Sequence, residues 1–263
     1  MLNDLTGHRA FVTGSTMGIG AAIADAIVVA GGHVIRHGRS VEELSSVEEL
    51  SSVDVGFALE DCVFGDFAAD LPASAVKIAD EALSKDGLID LLVCNAGIYI
   101  DEPFLQMSFD TFQTTMNVNV GAVFAMVQKF SQVWAANGIS GRIVITGSIN
   151  GRLSEPTHVA YDTSKGAVEA MVRSLAVSLA DVGIRVNGVA PGLFETPLTS
   201  TAINTGQNSQ WMKLHTPNGT IPGPDAASGA VVFLLSDASC HMVGQMLFVD
   251  GGMSIWQQPD APS

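Results

Sequence analysis

The chain has 263 residues, 47% apolar and 15% charged, with mean hydropathy +0.33 and a net charge of −15 from 27 acidic and 12 basic side chains. That length fits one large α/β domain, in which roughly three quarters of the unfolded surface can be buried without help from disulfides or a structural metal. The acidic balance excludes nucleic acid, whose partners carry a basic footprint, and argues against an anionic membrane surface.

Three cysteines, Cys62, Cys94 and Cys240, contain no CxxC pair. That excludes a disulfide framework and a zinc ribbon, and suits a reducing compartment. No apolar run reaches the ~18 residues of a spanning helix. The start, Met1-Leu-Asn-Asp-Leu-Thr-Gly7, carries acid where an export signal carries base, so a cytoplasmic protein is expected.

In chain order, a strand over Arg9–Val12 leads into a helix over Ile19–Ala30. Strands Val34–Arg36, Cys62–Phe64 and Leu91–Cys94 precede a helix over Phe109–Ala135. A strand over Ile143–Thr146, a helix over Val159–Ala180, a strand over Arg185–Val189, a helix over Asp225–Leu235 and a strand over Met246–Val249 complete the pattern. Strands that are apolar throughout, rather than alternating, belong to a parallel sheet covered on both faces. Without a Pro/Ser-rich linker, a single domain over 1–263 is expected. Residues 41–53 repeat the hexamer VEELSS in tandem, with Val41, Leu44, Val47 and Leu50 at i, i+3 spacing. This predicts a lengthened helix after the second strand; two copies are too few for a repeat architecture, and the segment reads as a solvated insertion without chemistry.

After the first strand comes Thr13-Gly14-Ser15-Thr16-Met17-Gly18-Ile19-Gly20, running into an Ala-rich helix. Glycines let backbone approach a pyrophosphate, and the helix N-terminus supplies N–H donors. The GxxxGxG spacing differs from the common GxGxxG, and alone it is also compatible with a plain strand–helix turn. About twenty residues on, dinucleotide sites for NAD carry an acid on the ribose. Here that position aligns with Gly38, followed by Arg39 and Ser40. A missing carboxylate and an adjacent guanidinium favour NADP(H) over NAD(H), with Arg39 on the 2′-phosphate and Ser40 assisting. A solvated strand-end arginine is the bland alternative.

Further along, Tyr161 and Lys165 lie four residues apart, one turn of the same helix face, and Ser148 follows a strand thirteen residues before Tyr161. A phenol is a poor base at its ordinary pKa near 10; a neighbouring ammonium and an oxidised nicotinamide both favour its ionised form. Together with TGSTMGIG at 13–20, Asn95-Ala96-Gly97, Asn119, Pro191-Gly192 and Val249-Asp-Gly-Gly252, these residues resemble the short-chain dehydrogenase/reductase family over nearly the whole chain. The resemblance implies a Rossmann-like, doubly wound, seven-stranded parallel sheet flanked by helices on both faces. It implies Tyr161 as general acid/base, Ser148 polarising the substrate oxygen, Lys165 holding the nicotinamide ribose and lowering the Tyr161 pKa, and Asn119 securing a relay water. Cofactor contacts would come from Gly14, Ser15, Thr16, Met17, Gly18, Ile19 and Gly20. Others would come from Asp66 and Phe67 beside the adenine, Asn95, Ala96 and Gly97, Pro191 and Gly192, and Thr196 at the carboxamide. Cys94 departs from the Asn that many members carry there.

Residues 193–221 fall where the family places its substrate lid. Their amides and Trp211, with the polar Asn150, Arg152, Glu155 and His158 between Ser148 and Tyr161, suit a sugar, polyol or other small hydroxylated substrate. They suit a solvated loop equally well. The all-round apolar helices at Val120–Trp134 and 159–180 predict subunit contacts, and the resemblance points to a homodimer or homotetramer. Histidines 8, 33, 37, 215 and 241 show no ligand spacing, so no metal is expected. The expected activity interconverts a secondary alcohol or hemiacetal and its carbonyl or lactone. A 3-oxoacyl, steroid or xenobiotic ketone reductase and a non-catalytic nucleotide-binding regulator are the alternatives. A serine hydrolase is disfavoured, since Gly147-Ser148-Ile-Asn-Gly151 lacks G-x-S-x-G spacing.

Overall fold

The computed structural model describes residues 3–42, 59–85, 87–203 and 208–256. Its strands are β1 (Arg9–Val12), β2 (His33–Gly38), β3 (Cys62–Phe64), β4 (Leu91–Cys94), β5 (Arg142–Thr146), β6 (Arg185–Pro191) and β7 (Met246–Val249). All pair in parallel in the order β3-β2-β1-β4-β5-β6-β7. Phe11 sits in register with Ile35 on one side and Leu92 on the other. The chain winds outward from β1 through β2 to β3, then returns to place β4 on the opposite side of β1. Such a reversal opens a crevice at the strand carboxyl ends.

The described helices are α1 (Gly18–Val29), α2 (Ala73–Leu83), α3 (Phe109–Met116), α4 (Ala122–Asn137), α5 (Val159–Leu179), α6 (Ser200–Ile203), α7 (Asn208–Leu214) and α8 (Ser228–Leu235). Burial follows the doubly wound plan. On one face Ile23 and Ile27 of α1 and Val231 and Leu235 of α8 pack on Ala10, Val12 and Val144. On the other, α2, α4 and α5 bring Ile78, Phe130 and Val172 against Phe11, Ile35 and Ile143. Every strand but the edge strand β3 therefore meets apolar side chains on both faces, which is why these sequences do not alternate.

Several boundaries differ from the sequence expectation for identifiable reasons. The run expected as one helix over Phe109–Ala135 is interrupted by a π turn at Asn117–Gly121 and extends to Asn137, where Gly138 takes φ 66° and caps it in the left-handed conformation. The helix expected from Asp225 begins at Ser228, after a 3₁₀ turn at Pro224–Ala227. Helix α2 was not singled out, although its buried Ala75, Ile78, Ala79 and Ala82 follow i, i+3, i+4, i+7 spacing. Strand β2 runs two residues past Arg36, which carries His37 and Gly38 to the crevice. The tandem VEELSS segment lies outside the described residues from position 43 onward. Among the described residues, no helix is long and apolar enough to cross a membrane.

Candidate active site

A cavity of about 490 Å³ opens at the carboxyl ends of β1, β2, β4, β5 and β6. Its first wall is the turn after β1. Gly14 has φ 63°, and a Cβ there would lie 2.9 Å from Ala96 Cα. A Cβ at Gly20 would lie 2.1 Å from the Gly14 carbonyl oxygen, so helix α1 can start this close to the turn only with glycine. No side chain caps α1, and its first-turn residues Gly18, Ile19 and Gly20 line the cavity. Uncapped N–H groups at the positive end of a helix suit a pyrophosphate.

The turn is held from below. Ser15 Oγ donates to the Val12 carbonyl at 2.8 Å and accepts from the His37 amide at 2.9 Å. The buried Arg36 guanidinium donates to the Ser15 carbonyl at 3.2 Å and to Asp25 Oδ1 at 2.5 Å. His37 accepts the Gly14 N–H at Nδ1, 3.1 Å away, so its proton belongs on Nε2, which donates to the Gly65 carbonyl at 3.1 Å. Asn95 Nδ2 donates to the Gly14 carbonyl at 3.1 Å, tying β4 to the same turn.

Of the residues expected at a nucleotide, Gly14, Thr16, Met17, Gly18, Ile19, Gly20, Arg39, Asp66, Phe67, Asn95, Ala96, Gly97, Pro191, Gly192 and Thr196 line the cavity. Ser15 and Ser40 do not: Ser15 is fully buried beneath the turn. Arg39 stands exposed at the rim. Gly38 has a steric role as well as an electrostatic one, since a Cβ there would lie 2.3 Å from Thr16 Cγ2.

The reactive side chains converge at the other end. Ser148, at the end of β5, hydrogen-bonds the Tyr161 phenol and accepts the Asn150 amide at 3.1 Å. Lys165, one turn along α5, donates Nζ–H to the Thr146 carbonyl at 3.1 Å and sits 5.5 Å from the Tyr161 ring centre. Asn119 is buried in the π turn. Its Oδ1 accepts from Ile98 N at 2.8 Å, and its Nδ2 donates to Ile98 O and Ser164 Oγ at 2.9 and 3.0 Å. Both amide protons are thus spent on protein.

Burial pushes the Tyr161 phenol above its ordinary 10, the Ser148 hydrogen bond opposes that rise, and Asp162 and Glu155 add to it. The expected lowering of Tyr161 by Lys165 is therefore not achieved by these side chains alone. Burial also pushes the Lys165 ammonium down from 10.5 to about 8. A charge carried below about pH 8 at such a site costs about 3 kcal/mol, and the cost fades as pH rises from about 8 toward 10.5. Lys165→Met should therefore raise Tm by several degrees at pH 7 and by much less at pH 10; equal gains in thermal melts at both pH values would refute the buried-charge account.

None of the residues expected at the substrate, Asn150, Arg152, Glu155, His158 and Trp211, lines the cavity. Arg152 is drawn away by Glu169, with Nη2 2.7 Å from Oε1, and lies 4.4 Å from the Phe248 ring centre. Asn150 Nδ2 donates to Asp162 Oδ1 and Glu155 Oε1 at 2.8 and 3.3 Å. Trp211 is exposed and stacks on His215. His158 stands one residue behind the wall, with Nε2 2.6 Å from the Tyr99 hydroxyl. Tyr99 itself was missed. It lines the cavity with its ring edge-on to Tyr161, centroids 5.5 Å apart, and the available signal was its place two residues after Asn95-Ala96-Gly97. Phe194, Thr196, Pro197, Leu198 and Thr199 close the same end; of the segment 193–221, residues 204–207 lie outside the described residues.

A family model described as enoyl-(acyl carrier protein) reductase matches residues 14–254. The chain is 33% identical over 255 residues to gluconate 5-dehydrogenase of Gluconobacter oxydans, covering 97% of both sequences. It is 30% identical over 251 residues to the L-rhamnose 1-dehydrogenase (NAD(P)(+)) of a Sphingomonas species, covering 95% of this chain and 98% of that one. The structure is similar, with TM-score 0.85 and 33% identity, to a gluconate 5-dehydrogenase from Burkholderia cenocepacia in complex with NADP and tartrate. That likeness covers 96% of this chain and 97% of the other.

Proposed function

Because the chain belongs to the short-chain dehydrogenase/reductase family, we propose that its cavity takes NADP(H) in preference to NAD(H) and that its substrate is a sugar or polyol. The protein is an NAD(P)-dependent oxidoreductase acting on CH–OH groups. The reaction interconverts a secondary alcohol or hemiacetal with its ketone or lactone. The observation that carries this reading is the convergence of Ser148, Tyr161 and Lys165 on one cavity that also contains the glycine turn and Arg39.

The glycine turn and the uncapped start of α1 would hold the pyrophosphate, Arg39 the 2′-phosphate, and Asp66 and Phe67 the adenine end. Lys165 would hold the ribose, and Thr196 the carboxamide. When bound, the nicotinamide supplies the hydride acceptor or donor and, when oxidised, a positive charge. A substrate oxygen beside Tyr161 accepts the Ser148 hydroxyl and exchanges its proton with the phenol oxygen. Burial opposes ionisation of that phenol, so its basicity depends on positive charge brought close to it. Lys165 then passes the proton on toward water at the π turn around Asn119.

The segment 193–221 serves as the lid. Phe124 and Val177, 49% and 80% exposed on α4 and α5, support pairing of these helices in a homodimer or homotetramer, and the acidic chain is assigned to the cytoplasm. The test is nucleotide reduction with NADP⁺ and NAD⁺ in parallel across sugars, polyols and apolar secondary alcohols. Turnover of hydroxylated compounds with NADP⁺ is expected; turnover of apolar alcohols alone would keep the tetrad and remove the sugar.

A further inference from the structure

Tyr99 reaches the substrate end of the cavity with its hydroxyl already engaged. Its oxygen lies 2.6 Å from His158 Nε2, and His158 Nδ1 faces Glu155 Oε1 at 3.3 Å. The two loops are pinned together by the Glu102 amide, which donates to the Thr157 carbonyl at 3.1 Å. With His158 neutral and its proton on Nδ1 toward Glu155, Nε2 accepts the Tyr99 O–H. With His158 protonated, the state that Glu155, Asp162 and Asp101 favour against burial, Nε2–H donates to the Tyr99 oxygen and the O–H turns to Asp101. The other polar group beside that hydroxyl is the Asp101 carboxylate, an acceptor. In either state the Tyr99 oxygen, on a residue that lines the cavity, keeps a lone pair that can accept from a ligand. Burial first, then Asp101 and Glu155, push the phenol up to about 12, so Tyr99 is a neutral binding group and does not compete with Tyr161 as a base.

Charge at this wall has one sign. Asp101, Glu155 and Asp162 surround the Tyr99–His158 pair, so the sum stays negative even with His158 protonated. The cations nearest in sequence are committed elsewhere: Arg152 to Glu169, and Lys165 to the Thr146 carbonyl. Among the described residues lining the cavity, Arg39 is the other full cation, and it stands at the end of β2, away from Tyr161. The carboxylate group of a sugar acid offers only acceptors and a negative charge to a wall backed by charge of the same sign; an uncharged sugar or polyol offers a hydroxyl donor at that position.

We propose that Tyr99 in the cavity wall, backed by His158 and the Asp101 and Glu155 carboxylates behind it, selects an uncharged polyhydroxylated substrate, an aldose or polyol, and rejects the corresponding sugar acid. This deepens the sugar reading of the same site and rests on it. Steady-state oxidation with NADP⁺ across neutral aldoses, polyols and their aldonates tests it on the full chain. The best neutral substrate should exceed its aldonate at least tenfold in kcat/KM. An Asp101→Asn/Glu155→Gln variant should narrow that ratio by about tenfold, chiefly through the KM of the aldonate. Tyr99→Phe should raise KM for neutral substrates several-fold with little change in kcat. An aldonate turned over as well as or better than neutral sugars, or a ratio unmoved in the double variant, would overturn the selection. Turnover confined to compounds that are neither sugars nor sugar acids would instead overturn the sugar reading beneath it.

Discussion

Tyr161→Phe is expected to lower kcat by about 10³-fold while the Kd for NADPH changes less than about twofold. General acid–base catalysis contributes on the order of 10²–10⁴-fold, and the phenol oxygen is the group placed to move the substrate proton. The substitution keeps the ring, and with it the edge-on contact to Tyr99 and the position 5.5 Å from Lys165 Nζ. What is lost is the hydroxyl bonded to Ser148, and Ser148 Oγ retains the Asn150 amide as a partner. The fold should therefore be indifferent. Steady-state NADPH formation and a fluorescence titration separate the two quantities. A variant that no longer binds NADPH would make Tyr161 a structural residue; one that turns over normally would move the proton-transfer role elsewhere.

Sequence carried the sheet well, because a parallel strand buried on both faces announces itself as an unbroken apolar run, as at Leu91–Cys94. The grouping of Ser148, Tyr161 and Lys165 at one cavity was legible for a different reason: their spacing is fixed by one strand end and one helix turn. What remained hidden depended on side-chain direction. Arg152 and His158 occupy the same short segment, yet Glu169 draws the first onto the far side of α5 while Tyr99 holds the second behind the cavity. Tyr99 and His158 are separated by 59 positions, and only tertiary packing brings them to 2.6 Å. The π turn at Asn117–Gly121 was equally silent, because its residues continue the helical pattern on either side. Desolvation, which leads at Tyr161 in the chain alone, has no signature in the sequence, whereas the ammonium and an oxidised nicotinamide act in the opposite sense.

Arg39→Ala is expected to raise the Kd for NADPH by about 10–100-fold and that for NADH by less than about threefold. Hydrogen bonds to a charged group contribute about 1.5–3 kcal/mol, and a guanidinium can meet a phosphate with two of them. The exposed rim position places Arg39 in solvent, so the effect should shrink as ionic strength rises. Fluorescence titrations of both nucleotides at two salt concentrations measure it, and equal losses for NADPH and NADH would remove Arg39 as the phosphate ligand. The neighbouring glycine sharpens the test. An acid at position 38 would repel the 2′-phosphate, but its Cβ would also meet Thr16 Cγ2 at 2.3 Å. Gly38→Asp alone should therefore weaken both nucleotides through the displaced turn. Adding Thr16→Ala removes the Cγ2 atom and leaves the Thr16 Cβ 3.4 Å away, an ordinary contact. The double variant should regain NADH while staying weak toward NADPH. Recovery of both together would mean that the clash, rather than the missing carboxylate, sets the preference at this end of the cavity.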